Sequence, residues 1–248
     1  MAIVSLYAYA KLKPAEPAAH GTLKQGRHIQ FLFVLVSSIG LAILNAPASS
    51  ANDLKTDAQL WQELDVFAPL GPNVTATFIG VSREGDTLPN PTLYGGGAMV
   101  DLRYGPWTIT AGDLWVTARK PTNGDDVEVN VPLVALTYSL NYQGLAISDR
   151  NRFEDLTGLP GDPWRYRNRL MFEHPVSGLG PVSGLFMSDE VFYDLARDRW
   201  SRNRAQAGIE IPLPRSAFLQ VYYMRQDDRY GVPSALNIAG TTLKFELR

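Results

Sequence analysis

Arg165, Arg167 and Arg169 stand at alternate positions in the stretch WRYRNRLMFE, residues 164–173, with Trp164, Tyr166 and Asn168 among them. A guanidinium is planar, keeps its charge, and offers a fork of N–H donors that matches a carboxylate or phosphate with two parallel hydrogen bonds. Arginines two residues apart share one face of a β-strand. The chemistry on offer is anion recognition or an internal ion-pair network. Neighbouring segments supply Arg150, Arg152, Arg202 and Arg204 as further cations, and Glu154, Glu190 and Asp194 as candidate partners.

Other reactive patterns are sparse. His20 and His28 fall within the first 51 residues, which leaves His174 as the one histidine beyond them. A Ser–His–acid hydrolase would depend on it. Spacing places no serine or acid beside it, so no catalytic residue is assigned. There is no cysteine, and no metal-ligand spacing, phosphate-cradling loop or nucleotide fingerprint occurs, so neither a metal nor a cofactor is expected. YGGGA (94–98) lacks a phosphate-binding pattern; its glycines suggest a bend or a close approach to bulky groups inside the fold. A formal net charge of −2 gives no reason to expect a nucleic-acid partner.

That charge averages two unlike regions. Residues 1–51 carry Lys11, Lys13, Lys24 and Arg27 against Glu16, and the remainder has a formal −5. FLFVLVSSIGLAIL (31–44) would make about 21 Å of helix, short of the roughly 30 Å hydrocarbon core. Basic residues before it and NAPASSAND after it fit a secretory signal peptide over residues 1–51, cleaved after Ala51 or Ala48. A helical anchor is the competing reading.

The elements that must position the arginines are strands. Beyond residue 57 no window has a helical period; alternating segments are separated by Gly, Pro, Asn and Asp. They read as 58–69, 73–83, 93–104, 107–119, 131–142, 144–153, 164–176, 182–194, 199–211, 216–226 and 235–247. Such lengths exceed the usual five or six residues and suit tilted membrane strands of about 9 to 11. Short turns (70–73, 105–106, 143–144, 177–180, 212–216) alternate with longer connections (84–92, 120–130, 154–163, 195–198, 227–234), as in outer-membrane barrels. The count is eleven, whereas a bacterial barrel normally has an even number. Either an extra strand inside 120–130 (DVEVNV) or an irregular placement of 58–69 would account for the parity, so the expectation is an all-β, antiparallel up-and-down transmembrane barrel of 10–12 strands over residues 52–248.

Val134, Leu136, Tyr138, Leu140 and Tyr142 make one uniform apolar face, and Tyr104, Trp107, Tyr142, Trp164, Tyr193 and Tyr223 gather near strand ends as interfacial girdles would. The arginines then face a polar lumen. Asp189 falls on the supposed lipid face unless a bulge shifts the register. In one half of four successive strands, Arg150, Arg152, Arg165, Arg167, Arg169, Arg202 and Arg204 meet Glu154, Glu190 and Asp194, an excess of four cations; Glu173 and Glu210 lie lower. An ion-pair network that holds a narrow barrel closed is the favoured role, and anion binding the competing one.

QLWQELDVF, DEVFYDLARDRWSRNRAQAGIEI and VYYMRQ, with the Arg-rich strand between them, resemble the uncharacterised bacterial outer-membrane barrels of domain of unknown function 2490. Matching positions include Gln59, Trp61, Arg167, Arg169, Glu190, Phe192, Asn203, Arg204, Gly208, Arg225 and Gln226, and the resemblance covers roughly residues 56 to 248. It implies an exported Gram-negative outer-membrane barrel, with lipid, lipopolysaccharide and the barrel-assembly machinery as partners, and no established activity. The terminal Phe245–Leu247–Arg248 departs from the aromatic last residue usual in such barrels. The expected function is a transport or structural role, with a lumen suited to binding or passing small anionic solutes. The alternatives are a barrel enzyme acting on lipid or lipopolysaccharide, and a soluble periplasmic barrel holding an apolar ligand.

Overall fold

The computed structural model describes residues 56–85, 88–119, 125–159, 163–231 and 233–247; the expected signal peptide, residues 1–51, lies outside them. The described residues form strands joined by turns: β1 (Thr56–Gly71), β2 (Val74–Gly85), β3 (Leu88–Tyr104), β4 (Trp107–Arg119), β5 (Asp126–Asn130), β6 (Leu133–Tyr142), β7 (Leu145–Asp155), β8 (Trp164–Leu179), β9 (Val182–Asp194), β10 (Arg199–Leu213), β11 (Ala217–Asp228) and β12 (Ala235–Glu246).

They close into a barrel of eleven staves. Consecutive strands pair antiparallel around the ring, and β5 and β6 share one stave. Along β4, Arg119 faces Asp126 and Trp115 faces Asn130, and the same register continues to Gly112 facing Leu133 and Trp107 facing Tyr138. Leu114 and Val131 exchange backbone hydrogen bonds of 3.3 and 2.8 Å in the gap. Pro132, which has no N–H, interrupts the ladder there. DVEVNV is therefore the upper end of the fifth stave and adds none.

An even count and a wholly antiparallel ring are both corrected. β1 and β12 run in the same direction and pair in parallel, with Trp61 beside Gly240 and Asp65 beside Lys244. An odd number of alternating strands leaves the first and last parallel, and pairing them removes both edges. The long connection expected at 84–92 is mostly strand, with register shifts at Arg83/Glu84 and Glu84/Gly85. These irregularities lie where Pro89 and Pro91 cannot donate to a ladder.

Within each unbroken stretch of register side chains alternate inward and outward with period two; a shift between Trp200 and Arg202 leaves Trp200 exposed while Arg202 points inward. Leu60, Leu64, Phe78, Val100, Ile109, Val134, Leu136 and Leu140 are exposed on the outer wall. Of the six expected girdle aromatics, Tyr104, Trp107, Tyr142, Trp164 and Tyr223 are exposed there. Tyr193 is half-buried against Trp200, ring centres 5.2 Å apart. Asp189 also faces outward, in an unbroken register and without the suggested bulge, where it accepts a hydrogen bond of 3.0 Å from Asn203. The approach at Gly97 is both to the neighbouring strand and to a bulky interior group: an added Cβ would lie 2.0 Å from the Asp113 carbonyl oxygen and 2.8 Å from the side chain of Leu114.

Parallel closure predicts which cysteine pairs can join. Leu60 lies beside Ala239, and Leu64 beside Leu243. In this cysteine-free chain, Leu60→Cys with Ala239→Cys should cross-link through a short thiol-reactive spacer. Leu60→Cys with Leu243→Cys, the pair an antiparallel closure would bring together, should not. Gel mobility under non-reducing conditions distinguishes the two closures.

Candidate functional site

Strands β7 to β10 stand side by side in the ring. Their inward positions carry Arg150, Arg152 and Glu154 on β7, Arg165, Arg167 and Arg169 on β8, Glu190, Phe192 and Asp194 on β9, and Arg202 and Arg204 on β10. The register sets Arg150 beside Arg169, and Arg152 beside Arg167. Like charges in directly opposed positions repel, so this block needs carboxylates set among the guanidiniums, one on β7 itself and one on β9.

Two carboxylates do most of that work. Glu154, with 0 % of its side chain exposed, accepts from Arg152 at 2.6 Å, from Arg167 at 2.7 Å and from Arg165. Glu190 accepts from Arg150 at 2.8 Å and from Nε and Nη2 of Arg167, at 3.2 Å and 2.8 Å, with Arg204 at 3.8 Å. Arg167 bridges the two. Such charge-assisted, forked contacts are the strongest a guanidinium makes. Phe192, 1 % exposed, stands among four arginines, its ring centre 4.6 Å from the Arg167 guanidinium, 4.7 Å from Arg204 and 5.4 Å from Arg165 and Arg202. A ring's negative faces attract cations, so it fills space between charges that a carboxylate does not reach.

The remaining expected members behave differently. Arg202 pairs with Asp228 on β11, and Arg204 donates to Gln226 at 2.7 Å. Asp194 turns to Arg197 at 3.3 Å, away from the network. Arg169 makes no ion pair among the described residues, and its Nε is buried without an acceptor, as are Nε of Arg150 and Arg152. His174 lies on the outer face near Gly144 of the β6–β7 turn.

Sequence reasoning missed Arg83 and the roles of Trp61 and Phe192. Arg83 reaches in from β2 and stacks on Trp61, 3.9 Å from the ring centre, while Arg204 lies 4.9 Å from the same ring. The inward parity of β2 (Ile79, Val81, Arg83) was a usable signal; which strand lies across the lumen was not.

A cavity of about 390 Å³ adjoins the network. Nine cationic side chains line it (Arg83, Arg150, Arg152, Arg165, Arg167, Arg169, Arg202, Arg204 and Lys244) against four carboxylates (Glu63, Asp65, Glu154 and Glu190). Its other wall is apolar, from Ile79, Val81, Met99, Leu114, Val116, Val129 and Val131. Towards the short-turn end the charge reverses: Lys244 is surrounded by Glu173, Glu210, Asp65 and Glu63. Gln220 donates to Glu210 at 3.2 Å. The interior thus has a cationic upper level over an acidic floor. Among the described residues no cluster of His, Cys, Asp or Glu could hold a metal ion.

A family model described as "Protein of unknown function (DUF2490)" matches residues 56–234. No curated protein matches the chain.

Removing the carboxylate at the centre should be costly, because the guanidiniums remain buried without it. Glu154→Gln is expected to destabilise the folded barrel by about 3–5 kcal/mol, the range for breaking a buried pair from one side. Asp194→Asn, which touches the exposed Arg197, should change stability by less than about 1 kcal/mol. Urea unfolding of the refolded variants measures both.

Proposed function

The chain belongs to this family of unknown function, and from that premise we propose that it is an outer-membrane β-barrel with a transport or structural role, whose lumen receives an anionic solute and holds it instead of letting anions through. The observation that carries this reading is the excess of guanidinium over carboxylate around a cavity in a closed barrel, with Arg169 in no ion pair among the described residues and its Nε lacking an acceptor. Pairing alone would need no such surplus. The acidic floor around Lys244 opposes passage: an anion drawn to the arginines meets four carboxylates beyond them.

The outer wall supports a membrane setting. From Trp107 to Trp115 on β4 is eight residues, and from Tyr94 to Tyr104 on β3 is ten, with all four aromatics exposed. At a rise of about 3.3 Å and a tilt of about 40°, these spans are about 20–25 Å high, close to the apolar band of outer-membrane barrels. Four of the polar groups on that wall are paired, Asn168 donating to Asp149 at 2.6 Å and Asn203 to Asp189 at 3.0 Å, which lowers the cost of placing those four side chains beside lipid. On this reading the chain is exported by the signal peptide of residues 1–51, assembled by the barrel-assembly machinery, and set among lipid and lipopolysaccharide in a Gram-negative outer membrane.

Cell fractionation and planar-bilayer recording test it together. The protein should sediment with outer membranes, migrate on gels differently before and after boiling, and give little steady conductance in a bilayer. Recovery in the soluble periplasm without detergent would remove the membrane assignment. A large anion-selective conductance would make the lumen a pore.

A further inference from the structure

The geometry points to a small amphipathic anion as the ligand of this lumen: one anionic head, carboxylate or phosphate ester, on a single short apolar body. The inference rests on the anion-receiving lumen proposed above and names the class of solute it takes.

The argument comes from the two unlike walls of one cavity. Arg150, Arg167 and Arg169 present guanidinium on one side, and Arg169 has no ion-pair partner among the described residues. The strands running from β2 to β5 present Val81, Met99, Leu114, Val116, Val129 and Val131 on the other. An inorganic anion would use the first wall and leave the second facing water. An uncharged apolar molecule would fill the second and leave the Arg169 guanidinium, beside Glu190 but within ion-pair distance of no carboxylate among the described residues, with its buried Nε still lacking an acceptor, which is the more expensive error. A ligand with both parts satisfies both. At about 390 Å³ the cavity is near the lower end of small-molecule pockets, enough for one short chain or ring system and too small for a two-chain phospholipid. The acidic floor fixes polarity, since an anionic head is repelled from Glu63 and Asp65 and drawn to the arginine level.

The test is calorimetric titration of the full chain in nanodiscs of a zwitterionic lipid, with empty nanodiscs subtracted, against decanoate, acetate, inorganic phosphate and decanol. Decanoate should bind saturably with a Kd at least about tenfold below those of acetate and phosphate, and decanol should show no saturable binding. Arg169→Gln should weaken decanoate about tenfold. Val129→Thr with Val131→Thr, nearly isosteric, should weaken decanoate about threefold or more and leave acetate unchanged. Heat-modifiable migration checks that each variant is folded, and the ligand series on the unaltered chain decides the matter if one is not. Acetate or phosphate binding as tightly as decanoate would overturn the amphiphile and leave the anion-receiving lumen standing. Decanoate binding that matches decanol and ignores Arg169→Gln, or no saturable binding of any probe, would overturn both.

Discussion

Strand pairing places Arg150 against Arg169 and Arg152 against Arg167, so two pairs of guanidiniums sit at the spacing of directly opposed side chains, about 5 Å at Cβ. Inside a closed barrel, water cannot screen that repulsion as it would on a surface. Glu154 and Glu190 offset it by accepting from four arginines between them, with Arg167 common to both and Arg204 at 3.8 Å, while Arg169 is left outside these contacts. Lysine could not substitute, because a point charge on a flexible stem cannot present two edges to two carboxylates at once. The register of β7, β8, β9 and β10 and the positions of these two carboxylates are one constraint. A one-residue slip of any of these strands would turn its charges to the outer wall.

Much of this was legible in the chain because a strand's period of two is short and unambiguous. The alternation of Arg165, Arg167 and Arg169 with Trp164 and Tyr166 sorts them to opposite faces before any partner is known. Eleven segments could be counted, and the odd total was correct, but a rule drawn from even-numbered barrels argued against it. Closure was not legible, since nothing in QLWQELDVF or TTLKFELR states that they lie side by side in parallel. Asp194 and Glu190 look equivalent in sequence, four residues apart on one face. The turn that brings Arg197 back to Asp194 separates their roles, and only the tertiary path shows it. Arg83 was hidden for a related reason: its contact with Trp61 depends on the β1–β2 register.

The interior differs from a uniformly polar lumen in two directions. Around the circumference it passes from guanidinium on β7–β10 to Leu, Val and Met on β2–β6. Along the axis it passes from the arginine level to carboxylates around Lys244. The aromatic rings join these regions. Trp61, Phe186 and Tyr222 belong to one buried cluster with Met171, Met224, Leu236 and Ile238, while the outer edge of that cluster touches Arg83 and Arg204 through Trp61. Glycines opposite these rings make room for them, since a Cβ on Gly240 would lie 2.1 Å from the ring of Tyr222.

The circumferential division also explains a feature of the strands themselves. On β7–β11 polar side chains occur on both faces: Arg150 and Arg152 inward with Asp149 and Asn151 outward, Arg167 and Arg169 inward with Asn168 outward, Glu190 inward with Asp189 outward. On β3–β6 apolar side chains occur on both faces: Leu114 inward with Trp115 outward, Val131 and Leu133 inward with Val134 outward, Met99 inward with Val100 outward. A stave apolar on both faces reads in sequence like the buried strand of a soluble sheet, a near-continuous run such as VPLVAL or DLWV. In this barrel the same pattern has two separate causes. The outward set makes the exposed wall, and the inward set makes the apolar side of the cavity. If the interior needed only a polar filling, β3–β6 could have carried serine and threonine inward, as their lower ends do at Thr110 and Thr137. Their upper ends carry valine, leucine and methionine instead, at the level where the arginines stand, and that placement is what makes the cavity two-sided.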